Sequence, residues 1–455
     1  MNIEQAIDDL RQGLFEIDCP TMELRQRKDN GEVCHGSGYI KQGSDGRLTY
    51  KLYVAFAINS GPMRQLETFT KVRPGKLFED EDYYDLTATA IDGTTWTASR
   101  FFPSFDSDVD GKTKISYGPL DTLRADLPNN NRNHYQRLHF FEELDLPLHL
   151  MSETERNGSK FYTLDRCEFI VGDLNFEVRK RDGSGDTIME VTSKTPIAES
   201  FHLRAQEALQ FLTGKTVMWR ARVEVTPEAY FLVLTSPFRK APKTTLKHPL
   251  ASGTLEFRQH AWRLFGLFLT YVIGQTHGTQ WNPVAYHLHN ARESTANSID
   301  AGAVGVSVAL EAVASLAATT PADNVLARIE SFKKHMHDYL SDHAEFFDFT
   351  GRLDGALGSW SKKSPNDTLY ALAERGFIRK DYIKSWGDLR HRHVHPTLAD
   401  LQPPSAATYQ VVLNNTYRVE VLLYQLIFHL VGYKGPYTDY GAEGFPISNY
   451  PLAVA

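Results

Sequence analysis

The sequence predicts an α+β protein: an N-terminal β-rich domain, antiparallel and sandwich-like, followed by an all-helical bundle. Three observations predict it. Residues 36–102 carry Thr, Tyr, Val and Trp in short runs parted by Gly- and Asp-containing turns, as strands and hairpins do. From residue 255 onward apolar residues recur every three to four positions, the period of a helix buried on one face. Between them lies 236–254, SPFRKAPKTTLKHPLASGT, where three prolines stand among basic residues, a linker composition. A chain of 455 residues also exceeds what a single core usually reaches. The expected division is a β-rich domain at 1–240, a linker at 241–254, a helical domain at 255–440 and a tail at 441–455.

The elements follow in order. A short amphipathic segment opens the chain. Gly36–Lys41 and Leu48–Ala57 flank Gly-Ser-Asp-Gly, a hairpin connection. Leu86–Ile91 and Thr95–Phe102 flank Asp92-Gly93, a strong turn signal. The Asn-rich stretch 128–134 reads as a loop. Strands are expected at Phe161–Leu164, Cys167–Val171 and Thr187–Thr192. At Ile197 the period changes: Phe201, Ala205, Ala208, Leu209 and Leu212 fall on one helical face, and Gly214 follows as a C-cap. Thr216–Val225 and Tyr230–Leu234 return to strand. Beyond the linker, Leu255–Ile273, Ser298–Ala318, Asn324–Leu340, Thr368–Arg375, Arg379–His395 and Ser405–Leu430 each fit a helical period, together a bundle.

Composition excludes several classes. Hydrophobic residues at 42% and charged residues at 23% are ordinary for a globular protein and argue against wholesale disorder. Three scattered cysteines make no disulfide framework and point to a reducing compartment. The N-terminus lacks the basic start of a signal peptide, and runs such as Leu264–Ile273 and Val421–Leu430 fall short of the ~20 residues that span a bilayer. A cytoplasmic protein without membrane attachment is expected. No GxxxxGK[ST], GxSxG or HExxH pattern occurs, so phosphate-loop, α/β-hydrolase and common zinc-protease chemistry lack their usual signatures. The formal charge of −7 resides in 1–240, with 30 Lys and Arg against 37 Asp and Glu, while 241–455 balances at 19 against 19 and holds 12 of the 17 histidines. A nucleic-acid site must therefore be a local patch.

One segment gathers reactive side chains. Tyr382 to Pro396, YIKSWGDLRHRHVHP, places Arg390, His391, Arg392, His393 and His395 within six positions. Pro396 disfavours helix at the residue before it, so the cluster stands at a helix C-terminus. An Arg followed by His after four to six residues is a loose pattern. With 28 Arg and 17 His in 455 positions, about three matches arise by chance. Three occur: Arg390–His395, Arg132–His139 and Arg328–His335. Context singles out the first, with its late helix, basic surround and adjacent polar His391. Arg132–His139 starts in the Asn-rich loop, and Arg328–His335 lies on an earlier helix.

Arg390-His391-x-x-x-His395 resembles the Arg-x4–6-His motif of HEPN-domain ribonucleases, whose motif lies on a late helix of a helical bundle. The closing helix running into Leu430-Val-Gly-Tyr-Lys-Gly-Pro-Tyr437 looks like the ending of larger HEPN proteins. The hairpin around Asp92-Gly93-Thr-Thr-Trp96 and the segment Glu207-Ala-Leu-Gln-Phe-Leu-Thr-Gly214 are similar in layout to the front region of ApeA-like anti-phage proteins. The resemblance implies a metal-independent endoribonuclease that needs no cofactor. Arg390 and His395 would be catalytic with His391, while Arg392, His393 and Lys384 would hold RNA. It also implies a homodimer formed through the helical domain, control by the β-rich domain, and a phage-derived trigger. The chemistry suits the residue types. A 2′-OH attack on the adjacent phosphate needs a proton acceptor and positive charge beside the phosphorane. His395 can serve as base or acid near neutrality, and Arg390 offers a planar fork of donors. The products would be 2′,3′-cyclic phosphate and 5′-OH ends. On a regular helix, positions five apart differ by ~140°. Arg390 and His395 would thus share a site only through a break before Pro396 or across a dimer.

Other readings stand beside these. The chain could be a non-catalytic HEPN module that binds RNA or protein, or a toxin held by an antitoxin. His391 and His395 have a zinc-pair spacing, but no Cys or carboxylate within the motif completes a site. His335, His337 and His343 are expected on an exposed helix face, and His287 and His289 in a loop or helix start. Glu311, on an otherwise apolar helix, faces solvent or pairs with an arginine, the former preferred. Trp386 and Tyr382 are expected to be core or dimer contacts, with base stacking the other possibility. Cys34-His35 has no activating partner nearby.

Overall fold

The computed structural model describes residues 2–59, 77–107, 114–128, 134–156, 159–181, 185–198, 200–227, 229–237, 246–250, 255–276, 278, 280–317, 323–343, 350–360, 364–394 and 405–452. The fold is α+β. It divides into two compact units, Met1–His202 with Val217–Lys240, and Leu203–Thr216 with Ala241–Ala455.

The first unit opens with helix α1 (Ile3–Gln12). The Asn2 side chain accepts from the backbone N–H groups of Glu4 and Gln5, and left-handed Gly13 ends the helix. Its strands are β1 (Glu16–Gln26), β2 (Val33–Gln42), β3 (Leu48–Ile58), β4 (Tyr84–Thr89), β5 (Thr95–Phe101), β6 (Ser104–Ser107), β7 (Lys114–Leu120), β8 (Thr122–Leu127), β9 (His134–Phe140), β10 (Leu150–Arg156), β11 (Ser159–Val171), β12 (Leu174–Lys180), β13 (Thr187–Ser193), β14 (Ala221–Val225) and β15 (Tyr230–Thr235). They form one 15-stranded sheet in the order β10-β11-β12-β13-β9-β14-β15-β8-β5-β4-β1-β2-β3-β7-β6. Every pairing in it is antiparallel, as expected for this half of the chain, and the pairing runs unbroken through all fifteen strands. In the β1–β2 ladder the register shifts between Cys19 and Met22. Pro20 stands there and has no N–H to give.

Seven of these strands wrap around one core. β5 and β3 stand four places apart in the order, a separation of ~19 Å in a flat sheet. Yet the Phe101 and Tyr50 rings meet edge-on with centroids 5.4 Å apart. The run from β8 through β5, β4, β1, β2 and β3 to β7 therefore curls into a barrel. Only Asp121 separates the ends of β7 and β8 in sequence. Ile7, Leu24, Ile40, Leu52, Leu86, Trp96 and Leu123 share the enclosed cluster, with α1 contributing from one side.

The second unit holds helices α2 (Phe201–Thr213, whose first two residues fall in the first unit), α3 (Leu255–Gln275), α4 (Pro283–Thr295), α5 (Ile299–Leu316), α6 (Asp323–Asp342), α7 (Thr350–Trp360), α8 (Pro365–Glu374), α9 (Lys380–Val394) and α10 (Ala406–Val431), and the hairpin β16 (Gly435–Thr438) with β17 (Ile447–Tyr450). α5 packs against α4, α8, α9 and α10, while α6 and α7 pair with each other. By length and composition α5 could also cross a membrane, but in this fold Val306, Leu310 and Val313 are bundle core.

Three boundaries differ from the sequence reading. Residues 203–216 group with the helical unit, because buried polar groups tie α2 to α4. Within α2, Arg204 holds Glu207 with N–O distances of 2.9 and 2.8 Å. Glu207 in turn accepts from the N–H of Asn282, the cap of α4, at 3.3 Å, and Arg292 of α4 donates to the Gln210 carbonyl at 2.9 Å and the Lys215 carbonyl at 3.1 Å. Burial lifts the Glu207 carboxyl to about 7 against the pull of Arg204, and lowers Arg292 to about 10. The described part of the supposed linker, 246–250, is packed: Leu246 and Leu250 are buried. Leu246 N–H donates to the Gly214 carbonyl at 3.1 Å. Glu420 accepts from Lys247 N–H, and the Tyr424 hydroxyl donates to the Lys247 carbonyl. The supposed tail is also pinned. β17 pairs with β16, Tyr450 is buried, and Leu452 N–H donates to the Gly376 carbonyl at 2.9 Å.

Candidate active site on the C-terminal turn of helix α9

Helix α9 follows from its apolar spacing. Tyr382, Ile383, Trp386 and Leu389 are buried, whereas Lys384, Asp388 and His391 are exposed. The Trp386 indole N–H donates to the Ser307 carbonyl of α5 at 3.3 Å. Tyr382 donates to Asp439 at 2.7 Å, and Arg379 reaches the same carboxylate at 2.9 Å. Both aromatic residues are therefore core contacts. The helix is fixed at its start by Asp439 and at its middle by α5.

The last turn carries His391, Arg392 and His393, cations or potential cations where the helix dipole is negative. Arg390 lies with its guanidinium carbon 5.7 Å from the Trp386 ring centroid. It meets the Glu311 carboxylate of α5 at 3.3 Å, with the two side chains 42% and 36% exposed. Glu311 is thus paired, not merely solvated. An ion pair this exposed is worth about 0–1 kcal/mol, so an arriving phosphate can compete for the guanidinium. His393 is mostly buried, and its Nε2 stands 3.8 Å from Asp300. Asp300 and Glu311 are ~16 Å apart along α5, so Arg390 and His393 turn toward separate acids. Arg392 is half-buried, and Lys384 shares the exposed stripe with His391. The expected group therefore splits: Arg390 and His393 face α5, while His391 and Lys384 face solvent. His395 and Pro396 lie outside the described residues.

The other histidine matches sit in ordinary surroundings. His139 is buried in β9 and its pKa is pushed down to about 3, first by burial and then by Arg137, Arg181 and Arg179; Arg132 lies outside the described residues. His335 is exposed and hydrogen-bonded to the Ser331 carbonyl at 2.8 Å. His337 contacts Asp354 at 2.6 Å and His343 stacks on Tyr339. His287 and His289 belong to α4, capped by Asn282. Cys34 is buried, and burial with Glu32 pushes its thiol up to about 12, which removes it as a nucleophile. Among the described residues no three His, Cys, Asp or Glu side chains gather as a metal site would require. Of the two acids that face the motif, the sequence reading singled out Glu311 but preferred solvent over the arginine pairing found here, and it missed Asp300. The single carboxylate in the Val308-Ala-Leu-Glu311-Ala run was the available signal for Glu311, and nothing in the pattern marked Asp300.

No family model, curated protein or solved structure matches this chain.

Proposed function

We propose that the chain is an anti-phage defence effector, acting in the cytoplasm as a homodimer. In this reading its helical unit cleaves host or phage RNA without a metal, and its β-rich unit regulates that activity in response to a phage-derived trigger. The observation that carries the reading is Arg390: a partly exposed guanidinium, steadied on Trp386 and held by an exposed ion pair to Glu311, directly before a last turn that presents His391. Arg390 would bind the scissile phosphate and neutralise charge as it builds. His395 would take the 2′-OH proton, and His391 would assist at the leaving 5′ oxygen. Lys384, Arg392 and His393 would hold the flanking strand.

The test is a product assay on synthetic RNA. Wild type should give cyclic-phosphate and 5′-OH ends, spare the matching DNA and be unaffected by chelator. Arg390→Ala and His395→Ala should stay folded and lose at least a hundredfold in rate. Full activity in either variant removes this site from the mechanism. A second reading is a non-catalytic module, favoured by the Arg390–Glu311 and His393–Asp300 contacts, which serve bundle packing equally well. Glu311→Gln separates the two. It leaves cleavage intact or faster if Arg390 works on phosphate. If the pair is only structural, it lowers the melting temperature of a protein that binds RNA without turnover.

A further inference from the structure

A groove of about 500 Å³ opens on the first unit over strands β2, β3, β7 and β6. Strand register fixes what it displays. Tyr39 pairs with Lys51 across β2 and β3, and Lys51 pairs with Tyr117 across β3 and β7. Directly paired residues share a face, so the row reads tyrosine, lysine, tyrosine. Tyr39 and Tyr117 stand ~10 Å apart with the cation between them. Lys41 and Tyr53 lie two positions along their strands and so share that face. The Lys41 ammonium is 5.0 Å from the Tyr39 ring centroid, and that of Lys51 is 5.2 Å from Tyr53. Tyr53 and Tyr117 are exposed.

The cations here differ from most in the unit. Arg25, Arg27, Arg124 and Arg179 each hold a carboxylate. Lys41, Arg47 and Lys51 line the groove and make no ion pair among the described residues. The Arg47 Nε is buried without a hydrogen-bond partner there. These cations outside any ion pair outnumber the two carboxylates of the groove, Asp45 and Asp106, within a segment whose net charge is −7 over residues 1–240. They call for an anionic partner, and the flat tyrosine rings call for one with stacking faces.

We propose that this face docks single-stranded RNA, with bases stacked on Tyr39 and Tyr117 and phosphates held by Lys41, Arg47 and Lys51. Alternating aromatic and basic groups on a sheet bind single strands in this way. RNA fits better than DNA because Asp45 and Asp106 also line the groove. Carboxylates repel phosphate but accept hydrogen bonds from ribose 2′-OH groups. The choice of RNA rests on these carboxylates together with the proposed cleavage activity; the docking face itself does not depend on that activity.

The experiment measures fluorescence anisotropy of a labelled oligouridylate of about ten nucleotides on the full-length Arg390→Ala protein, which leaves the RNA intact. Adding Lys41→Ala, Lys51→Ala and Tyr117→Ala should raise Kd at least tenfold. The slope of log affinity against log salt should fall by about 1.4. The melting temperature should move little, since Tyr117 is exposed and both lysines are partly exposed and hold no ion pair among the described residues. Tyr117→Phe should keep the affinity, because the ring does the stacking. An unchanged Kd in the triple variant, no measurable RNA binding, equal binding of the matching deoxy-oligonucleotide, or equal competition by polyglutamate each overturns the proposal. Should wild type fail to cleave RNA, the reading of α9 falls, while the anisotropy difference still decides the docking face.

Discussion

His139 shows how one buried side chain sets a pH limit on the fold. Its pKa falls from the ordinary 6.5 to about 3, chiefly through burial. In the unfolded chain the imidazole gains a proton near pH 6.5, whereas the folded chain refuses it. Its contribution is therefore fully present above pH 6.5 and is lost as pH falls toward 3. The slope is about 1.4 kcal/mol per pH unit. Wild type should lose ~2 kcal/mol from this group between pH 6.5 and 5. His139→Leu should flatten that part of the curve; urea unfolding at the two pH values measures it, and parallel curves would refute the assignment. At this scale the sequence was informative about residue type and silent about partners. The cluster Arg390 to His393 could be read directly. That Arg390 meets Glu311 while His393 turns toward Asp300 depends on how α9 crosses α5, which no spacing within α9 reveals.

Elements were legible where one face is buried and the period is clean. The spans of α3, α5, α9 and α10 lie close to those expected, since each carries an apolar stripe and three have a recognisable cap or stop. α4 was missed because polar residues such as His287, Asn290 and Glu293 dominate its middle, while its signal, Asn282-Pro283, marks only the start. Strand β1 was missed because Pro20 interrupts its alternation, and β7 because Gly118-Pro119 reads as a turn. Gly214 was legible as a cap, but its second duty was not. With φ of +65°, it lies so close to 246–250 that an added Cβ would stand 2.4 Å from the Leu246 carbonyl oxygen. Gly214→Ala therefore combines left-handed strain with a backbone clash and should cost ~2–4 kcal/mol. A loss under 0.5 kcal/mol in urea unfolding would show that the 246–250 strap yields freely.

At the scale of the molecule, the α+β division was legible because the hydrophobic period changes from two to 3.6 near residue 255. The sheet order was not. β14 pairs with β9 although about 80 residues separate them, and β15 pairs with β8 across more than 100; no local pattern encodes such partners. The chain passes from one unit to the other at 202/203, 216/217 and 240/241. Because α2 belongs to the helical unit while β14 and β15 return to the sheet, unfolding either unit should pull on elements of the other. Single-tryptophan variants that keep only Trp96 in the barrel or only Trp386 in the bundle should therefore give one shared urea midpoint. Midpoints more than about 1 M apart would mean that the units melt independently.

The triple passage also constrains ancestry. Modules joined by one tether can be traded between genes by a single recombination event. Here, a crossover at residue 240 would carry away α2, the rod that Arg292 of the bundle clasps, and leave that arginine facing nothing. A different front joined to this bundle would have to bring its own equivalent of α2, so the two units are exchangeable only together with that helix.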